Sequence, residues 1–329
     1  MSLGSFEKQY MQALTDIYEH GYEDGRNERT GYDTKRLPGI VFRVDLEKEF
    51  PILRSKKVFA KTALREILWI YQKGSSNIHD LGAKIWDQWA DENGSIGAAY
   101  GAQINRPVNI YVDPKHRTGE NFRSYRSQTE FVLEYLREFP NGRWANVTLW
   151  NVAELSQMNL VPCCHTVTWN LDGGRLNCVV DQRSGDMPYG VPFDVVQYAM
   201  LTMLFARDLD VQPGILTHVI ADAHIYSNQM EGVKEQIANY NLLYALDQGQ
   251  ESAAAVLAAV AAEVHNSRDN ADKRTADKLL SSAKKSLEGE PKFCVDWTPN
   301  KSFFDVDIEK CDVRNYFDLG KIDFGKVVE

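Results

Sequence analysis

Residues 163–221 constrain the fold more tightly than any other stretch. From 163 to 171 the chain alternates, with Val167, Trp169 and Leu171 set against Thr166, Thr168 and Asn170, as a strand with one buried face does. Asp172-Gly173-Gly174 is a hairpin turn signal, and Leu176–Asp181 returns as the partner strand. Residues 192–208 follow as an apolar helix, Val195 through Phe205, and Leu216–Ala221 reads as a further strand. A hairpin, a buried helix and another strand in succession call for a mixed sheet layered with helices, so the fold class is α+β.

The flanking sequence fits round that unit. Residues 6–22 show helical spacing, with Tyr10, Leu14, Ile17 and Tyr18 on one face. Residues 58–72 are too long and too apolar for a strand and read as a buried helix, and a shorter helix is expected over 77–83. Ile40–Val44, Pro51–Leu53 and Asn146–Trp150 are strand-like. Residues 245–290 are rich in Ala, Lys, Asp and Ser, with helices expected at Ala253–Val264 and Ala271–Leu287. This segment reads as a peripheral helical insertion on a single α+β domain spanning 1–329.

Charge narrows the function. Lys plus Arg number 37 against 46 Asp plus Glu, a net charge of −9, which disfavours nucleic-acid and anionic-membrane partners. Any phosphate site must therefore be a local cluster of arginines. No apolar run approaches the ~18 residues of a membrane span. The five cysteines (Cys163, Cys164, Cys178, Cys294, Cys311) are odd in number and sparse, and no signal-peptide pattern precedes them. Reduced thiols and a cytoplasmic location are expected. The common Gly-rich nucleotide motifs are absent. Cys163-Cys164-His165 alternates across a strand, so its side chains do not converge and no metal is expected.

Cys163 stands out in context. It follows Pro162 at a strand start and lies 20 residues before Arg183-Ser184, a pair suited to a phosphate. A guanidinium near a thiol favours the thiolate, the competent nucleophile. Glu66 sits on an apolar helix face, where an unpaired carboxylate would be costly.

Several stretches then resemble the thymidylate synthase family: Arg29-Thr30-Gly31, Glu66-Ile67-Leu68-Trp69, Ile85-Trp86-Asp87-Gln88-Trp89, Trp150-Asn151-Val152-Ala153-Glu154-Leu155, Gln182-Arg183-Ser184, and Asp222-Ala223-His224-Ile225-Tyr226-Ser227. They run in family order from about 6 to 244 and resume at 292–328. The resemblance implies the thymidylate-synthase fold, a homodimer joined through the sheet face, and methylenetetrahydrofolate as one-carbon donor to carbon 5 of a pyrimidine nucleoside monophosphate. Cys163 would attack carbon 6 of the ring. It is chosen over Cys164 because it stands 31 residues before Asp194, the spacing shared with the family.

The resemblance also implies roles for other residues. Arg29, Arg183 and Ser184 would hold the 5′-phosphate, with Arg143 reaching across from the partner subunit. His224 and Tyr226 would bind the sugar. Glu66 would organise water for proton transfer at position 4, and Tyr100 would assist loss of the carbon-5 proton. Ile85, Trp86, Trp89, Leu160 and Phe193 would contact the folate and Asp186 its pterin, while the Val327-Val328 tail closes over it.

The chain departs from the family pattern at Asp194, where thymidylate synthases carry Asn. An amide suits uracil. A carboxyl accepts from the cytosine amino group and, when protonated, donates to ring nitrogen 3. Asp is what deoxycytidylate and cytidylate hydroxymethylases carry there, so hydroxymethylation of CMP or dCMP is the expected activity. The alternatives are thymidylate synthesis from dUMP, methylation of (d)CMP, a Cys163–His224 hydrolase, and a catalytically retired nucleotide-binding protein. Cys164 stands where the family usually has His, and Arg143-Trp144 replaces an Arg-Arg pair.

Overall fold

The hairpin expected at Asp172-Gly173-Gly174 forms two adjacent strands of a seven-stranded mixed sheet. The computed structural model describes residues 2–25, 30–267, 275–297 and 301–327. In chain order the elements are α1 (Ser5–His20), β1 (Tyr22–Asp24), β2 (Thr34–Asp45), α2 (Ala60–Tyr71), α3 (Gly101–Ile104), β3 (Val108–Tyr111), β4 (Phe122–Tyr125), α4 (Gln128–Glu138) and β5 (Asn146–Thr148). Then come β6 (Cys164–Asp172), β7 (Arg175–Gln182), β8 (Gly185–Asp186), α5 (Gly190–Asp208), β9 (Gln212–Tyr226), α6 (Met230–Asp247), α7 (Glu251–Asn266), α8 (Ala276–Leu287), β10 (Lys292–Val295) and β11 (Cys311–Arg314).

The sheet order is β1-β2-β9-β7-β6-β5, with β8 beside β9. Pairing is antiparallel except for β7–β9 and β8–β9. A parallel pair needs a crossover, and α5 supplies it. Alternation sends Val167 and Trp169, Cys178 and Val180, and Leu216 and Ile220 into one buried face under α5. Trp169 packs on Phe205 of α5, with ring centroids 5.1 Å apart. The opposite face carries Thr166, Thr168, Val179, Thr217 and Val219, all half-buried, and Val41, which is 51% exposed.

Two expectations change. Pro51–Leu53 is not a strand. Pro51 has no N–H, the Ile52 N–H turns back to Phe50, and just beyond Leu53 the amides of Arg54 and Ser55 are taken by the buried carboxylate of Glu7 on α1. The helix expected over 77–83 shrinks to one 3₁₀ turn, Ile78–Asp80, started by the Asn77 side chain and followed by Gly82 at φ +67°. The Ala271–Leu287 expectation is met from Ala276 onward, and 271–274 lie outside the described residues. Helices α7 and α8 pack with α6 in an apolar cluster of their own, built on Leu242, Ala254, Ala258, Ala261, Leu279 and Ala283. No helix among the described residues is long and apolar enough to cross a membrane.

Candidate active site

The C-terminal ends of β7 and β8, the start of α5 and one face of α2 enclose a cavity of about 700 Å³. That is ample for a nucleotide with part of a second ligand. Among the residues singled out in the sequence, Glu66, Ile85, Trp86, Trp89, Tyr100, Leu160, Cys163, Arg183, Ser184, Asp186, Phe193, Asp194, His224, Tyr226 and Val327 all line it. Arg143 does not; it is exposed in the segment before β5. Arg29 and Val328 lie outside the described residues.

Cys163 occupies the last position before β6. Its carbonyl accepts from the Arg183 amide at 2.9 Å, which holds the two strand ends together. The Arg183 guanidinium is fixed by the carbonyls of Pro162 and Val161 at 3.1 and 2.8 Å, with Nη2 3.8 Å from the Cys163 sulfur. Positive charge therefore sits where negative charge on sulfur would develop. The Cys163 amide donates to the Tyr100 hydroxyl at 3.1 Å. Tyr100 holds that position with φ +45°, a costly conformation for a bulky residue, and its ring stands edge-on to Trp86 at 5.1 Å. Cys164 is buried, and desolvation pushes its thiol well up, so it is the poorer nucleophile of the two.

Two acidic groups share the cavity floor. Glu66 accepts from Trp86 Nε1 at 2.6 Å and from Gln197 Nε2 at 2.7 Å, which answers the cost of burying a carboxylate on α2. Burial still pushes its pKa up to about 7. Asp194, just past the first turn of α5, is pushed up to about 8 by burial, with the charge of Glu66 adding to the effect, and Gln182 partly opposes it. At neutral pH Asp194 is mainly a carboxylic acid. Asp186 is raised by burial against the nearby charges of His224 and Lys56.

Lys56 and Gln197 also line the cavity, as does Gln182, to which the sequence assigned no role of its own. Arg54-Ser55-Lys56-Lys57 has the pattern of a solvated charge run, yet Lys56 is 6% exposed and donates to the Pro188 carbonyl. Desolvation lowers its pKa to about 8. Nothing in local sequence separates Gln197 from an ordinary surface amide. The C-terminal segment lies against the cavity: Lys321, Ile322, Phe324 and Val327 line it, the Tyr189 hydroxyl donates to the Gly325 carbonyl at 2.7 Å, and Asn228 Nδ2 donates to the Lys326 carbonyl at 2.9 Å.

Comparison with known proteins agrees with this arrangement. A family model described as "Thymidylate synthase" matches residues 8–246. Thymidylate synthase of Clostridium beijerinckii is 38% identical over 242 residues, 73% of this chain and 84% of that protein. Thermostable thymidylate synthase A from Bacillus subtilis, a solved structure, superposes with a TM-score of 0.70 at 27% identity, over 98% of both chains.

The raised acids have a consequence for stability. Asp194 and Glu66 keep protons in the folded state that the unfolded chain, at 3.8 and 4.5, has released. The unfolded state binds fewer protons in this window, so these groups favour folding at low pH and the advantage is lost as pH rises toward 7 and 8. Asp194→Asn should flatten the fall in urea-unfolding free energy between about pH 5 and pH 8, by up to ~1 kcal/mol per pH unit. Parallel curves for the two proteins would show that Asp194 ionises normally.

Proposed function

The chain belongs to the thymidylate synthase family, so its chemistry is folate-dependent one-carbon transfer to carbon 5 of a pyrimidine nucleotide, and within that chemistry we propose hydroxymethylation of CMP or dCMP. The observation that carries the base reading is a carboxyl group, not an amide, at position 194, in the same cavity as Cys163 and Glu66.

In this reading the Cys163 sulfur adds to carbon 6 of the base, assisted by the Arg183 charge beside it. Arg183 and Ser184 hold the phosphate together with Arg29, and His224 and Tyr226 bind the sugar. Tyr100, its hydroxyl tied to the Cys163 amide, assists removal of the carbon-5 proton. Glu66, with a pKa of about 7, can both give and take a proton near neutral pH and relays it through water at position 4.

Methylenetetrahydrofolate supplies the one-carbon unit in this family. The residues present fit it. Ile85, Trp86, Leu160, Phe193 and Phe324 give apolar walls for a flat ring, and the half-buried Asp186 gives a polar end. Exposed Lys57, Lys84 and Lys321 ring the mouth and match the carboxylates of a glutamyl tail. The hydroxymethyl product follows if water adds to the transferred carbon, and a methyl product if hydride does.

An ionised Asp194 would repel the uracil carbonyl at position 4, but a carboxyl with a pKa of about 8 is mainly neutral at pH 7. A neutral carboxyl has one donor and one acceptor, as an amide does, so charge repulsion alone does not exclude dUMP. This observation, with the thymidylate synthases among the relatives, favours methylation of dUMP as the second reading. We further propose the homodimer, because the half-buried sheet face with Val41 and Val179 suits a second copy and because Arg143 is exposed, away from its own cavity.

Three measurements test these readings. Cys163→Ala should abolish hydrogen exchange at pyrimidine carbon 5 while Cys164→Ala retains it; exchange at full rate in Cys163→Ala would remove Cys163 as nucleophile. Asp194→Asn should shift kcat/KM toward dUMP over the cytidylates by one to two decades, the effect of losing a hydrogen bond worth about 1–3 kcal/mol. A preference of the unmutated protein for dUMP would make it a thymidylate synthase with an unusual base-binding residue. Mixing inactive Arg143→Ala and Cys163→Ala subunits should recover part of the activity through heterodimers, and a protein monomeric at micromolar concentration would rule out shared sites.

A further inference from the structure

His218 lies on β9 beneath the cavity floor, fully buried, and takes no part in lining the site. Its Nε2 is 2.6 Å from Gln182 Oε1, whereas its Nδ1 has no hydrogen-bond partner. Burial keeps the ring neutral, with its pKa pushed down to about 3. A neutral imidazole carries one N–H, and a buried N–H without an acceptor is rarer than an unmet lone pair. The proton therefore belongs on Nε2, which donates to Gln182.

The Gln182 amide can be oriented independently. Its Nε2 lies 2.9 Å from the Ser184 carbonyl oxygen, which can only accept. The amino end must face that way, leaving Oε1 toward His218. The other amino hydrogen then points at Asp194 Oδ2, 2.8 Å away. Every donor in this chain runs in one direction, from His218 through Gln182 to Asp194.

We propose that His218, acting through Gln182, is a positioning residue for base choice: it holds Oδ2 of Asp194 as an acceptor and confines the carboxyl proton to Oδ1. The inference rests on Asp194 being the base-binding group. A carboxyl free to exchange the roles of its two oxygens can match either base. For cytosine the proton faces ring nitrogen 3 and the bare oxygen faces the amino group; for uracil the two oxygens trade places. A proton on Oδ2 would make Gln182 donate to a hydroxyl oxygen, a poorer acceptor than a carbonyl oxygen. With the roles fixed, one of the two matches is lost, and the choice sharpens because the mismatched base leaves buried polar groups unpaired.

The test compares kcat/KM for dCMP and dUMP, with methylenetetrahydrofolate present, in the unmutated protein, His218→Leu and His218→Gln. The ratio between the two bases should move toward one by roughly tenfold in His218→Leu, the effect of about one hydrogen bond. His218→Gln, whose side-chain N–H can take the place of the imidazole Nε2–H, should restore most of the ratio. An unchanged ratio in His218→Leu, or an equal loss on both substrates, overturns the proposal. Nitrogen NMR of the unmutated protein should find the His218 proton on Nε2; a proton on Nδ1 overturns it even if His218→Leu does not fold. The unmutated ratio judges the cytosine reading and the change in ratio judges His218, so the two can fail separately.

Discussion

Glu66 is buried with one oxygen bonded to Trp86 and the other to Gln197, and the cavity takes its shape from that pairing. The carboxylate rises from α2, the indole belongs to the segment just after it, and the amide comes from α5. None of the three can move without leaving a buried polar group unmet, at a cost of about 1–3 kcal/mol. Trp86 in turn sets its neighbours, with Trp69, Trp89 and Tyr100 all packed on it at ring separations of 5.1–5.9 Å. Tyr100 is thereby held in a strained backbone conformation, and its hydroxyl fixes the amide of Cys163. One buried acid thus connects the helical layer to the Cys163 backbone at the start of β6.

The parts of the fold legible in the sequence were those where a single element decides its own structure. Alternation at Thr166–Leu171, two glycines after Asp172 and the apolar run Val195–Phe205 each carry enough local signal to name the element. Pro51–Leu53 was misread because the chain beyond it is turned aside, the amides of Arg54 and Ser55 being claimed by Glu7, more than 40 residues earlier in the chain. The candidate site was legible for a different reason: its residues fall in family order, and the fold gathers those among the described residues, except Arg143, round one cavity. Lys56, Gln197 and His218 escaped because their importance lies in which atom faces which, a property of tertiary packing that no spacing encodes.

The same burial that makes the acids useful costs stability. Asp194 sits close enough to Glu66 for the charge of Glu66 to raise its resistance to ionisation, and burial raises both acids. The protein accommodates this with neutral donors, Trp86, Gln197 and Gln182, where a basic partner would have given more stability. A basic partner would also have locked both acids in their ionised forms. Neutral donors leave the protons able to move, which is what a site handling protons at a heterocycle needs.

The C-terminal segment is fastened to the cavity rim through the carbonyls of Gly325 and Lys326, which accept from Tyr189 and Asn228. Both acceptors belong to the backbone, so these two hydrogen bonds do not depend on which side chains residues 325 and 326 carry. The buried Phe324 ring, edge-on to Tyr189 at 5.4 Å, is the part of the fastening that a substitution could reach.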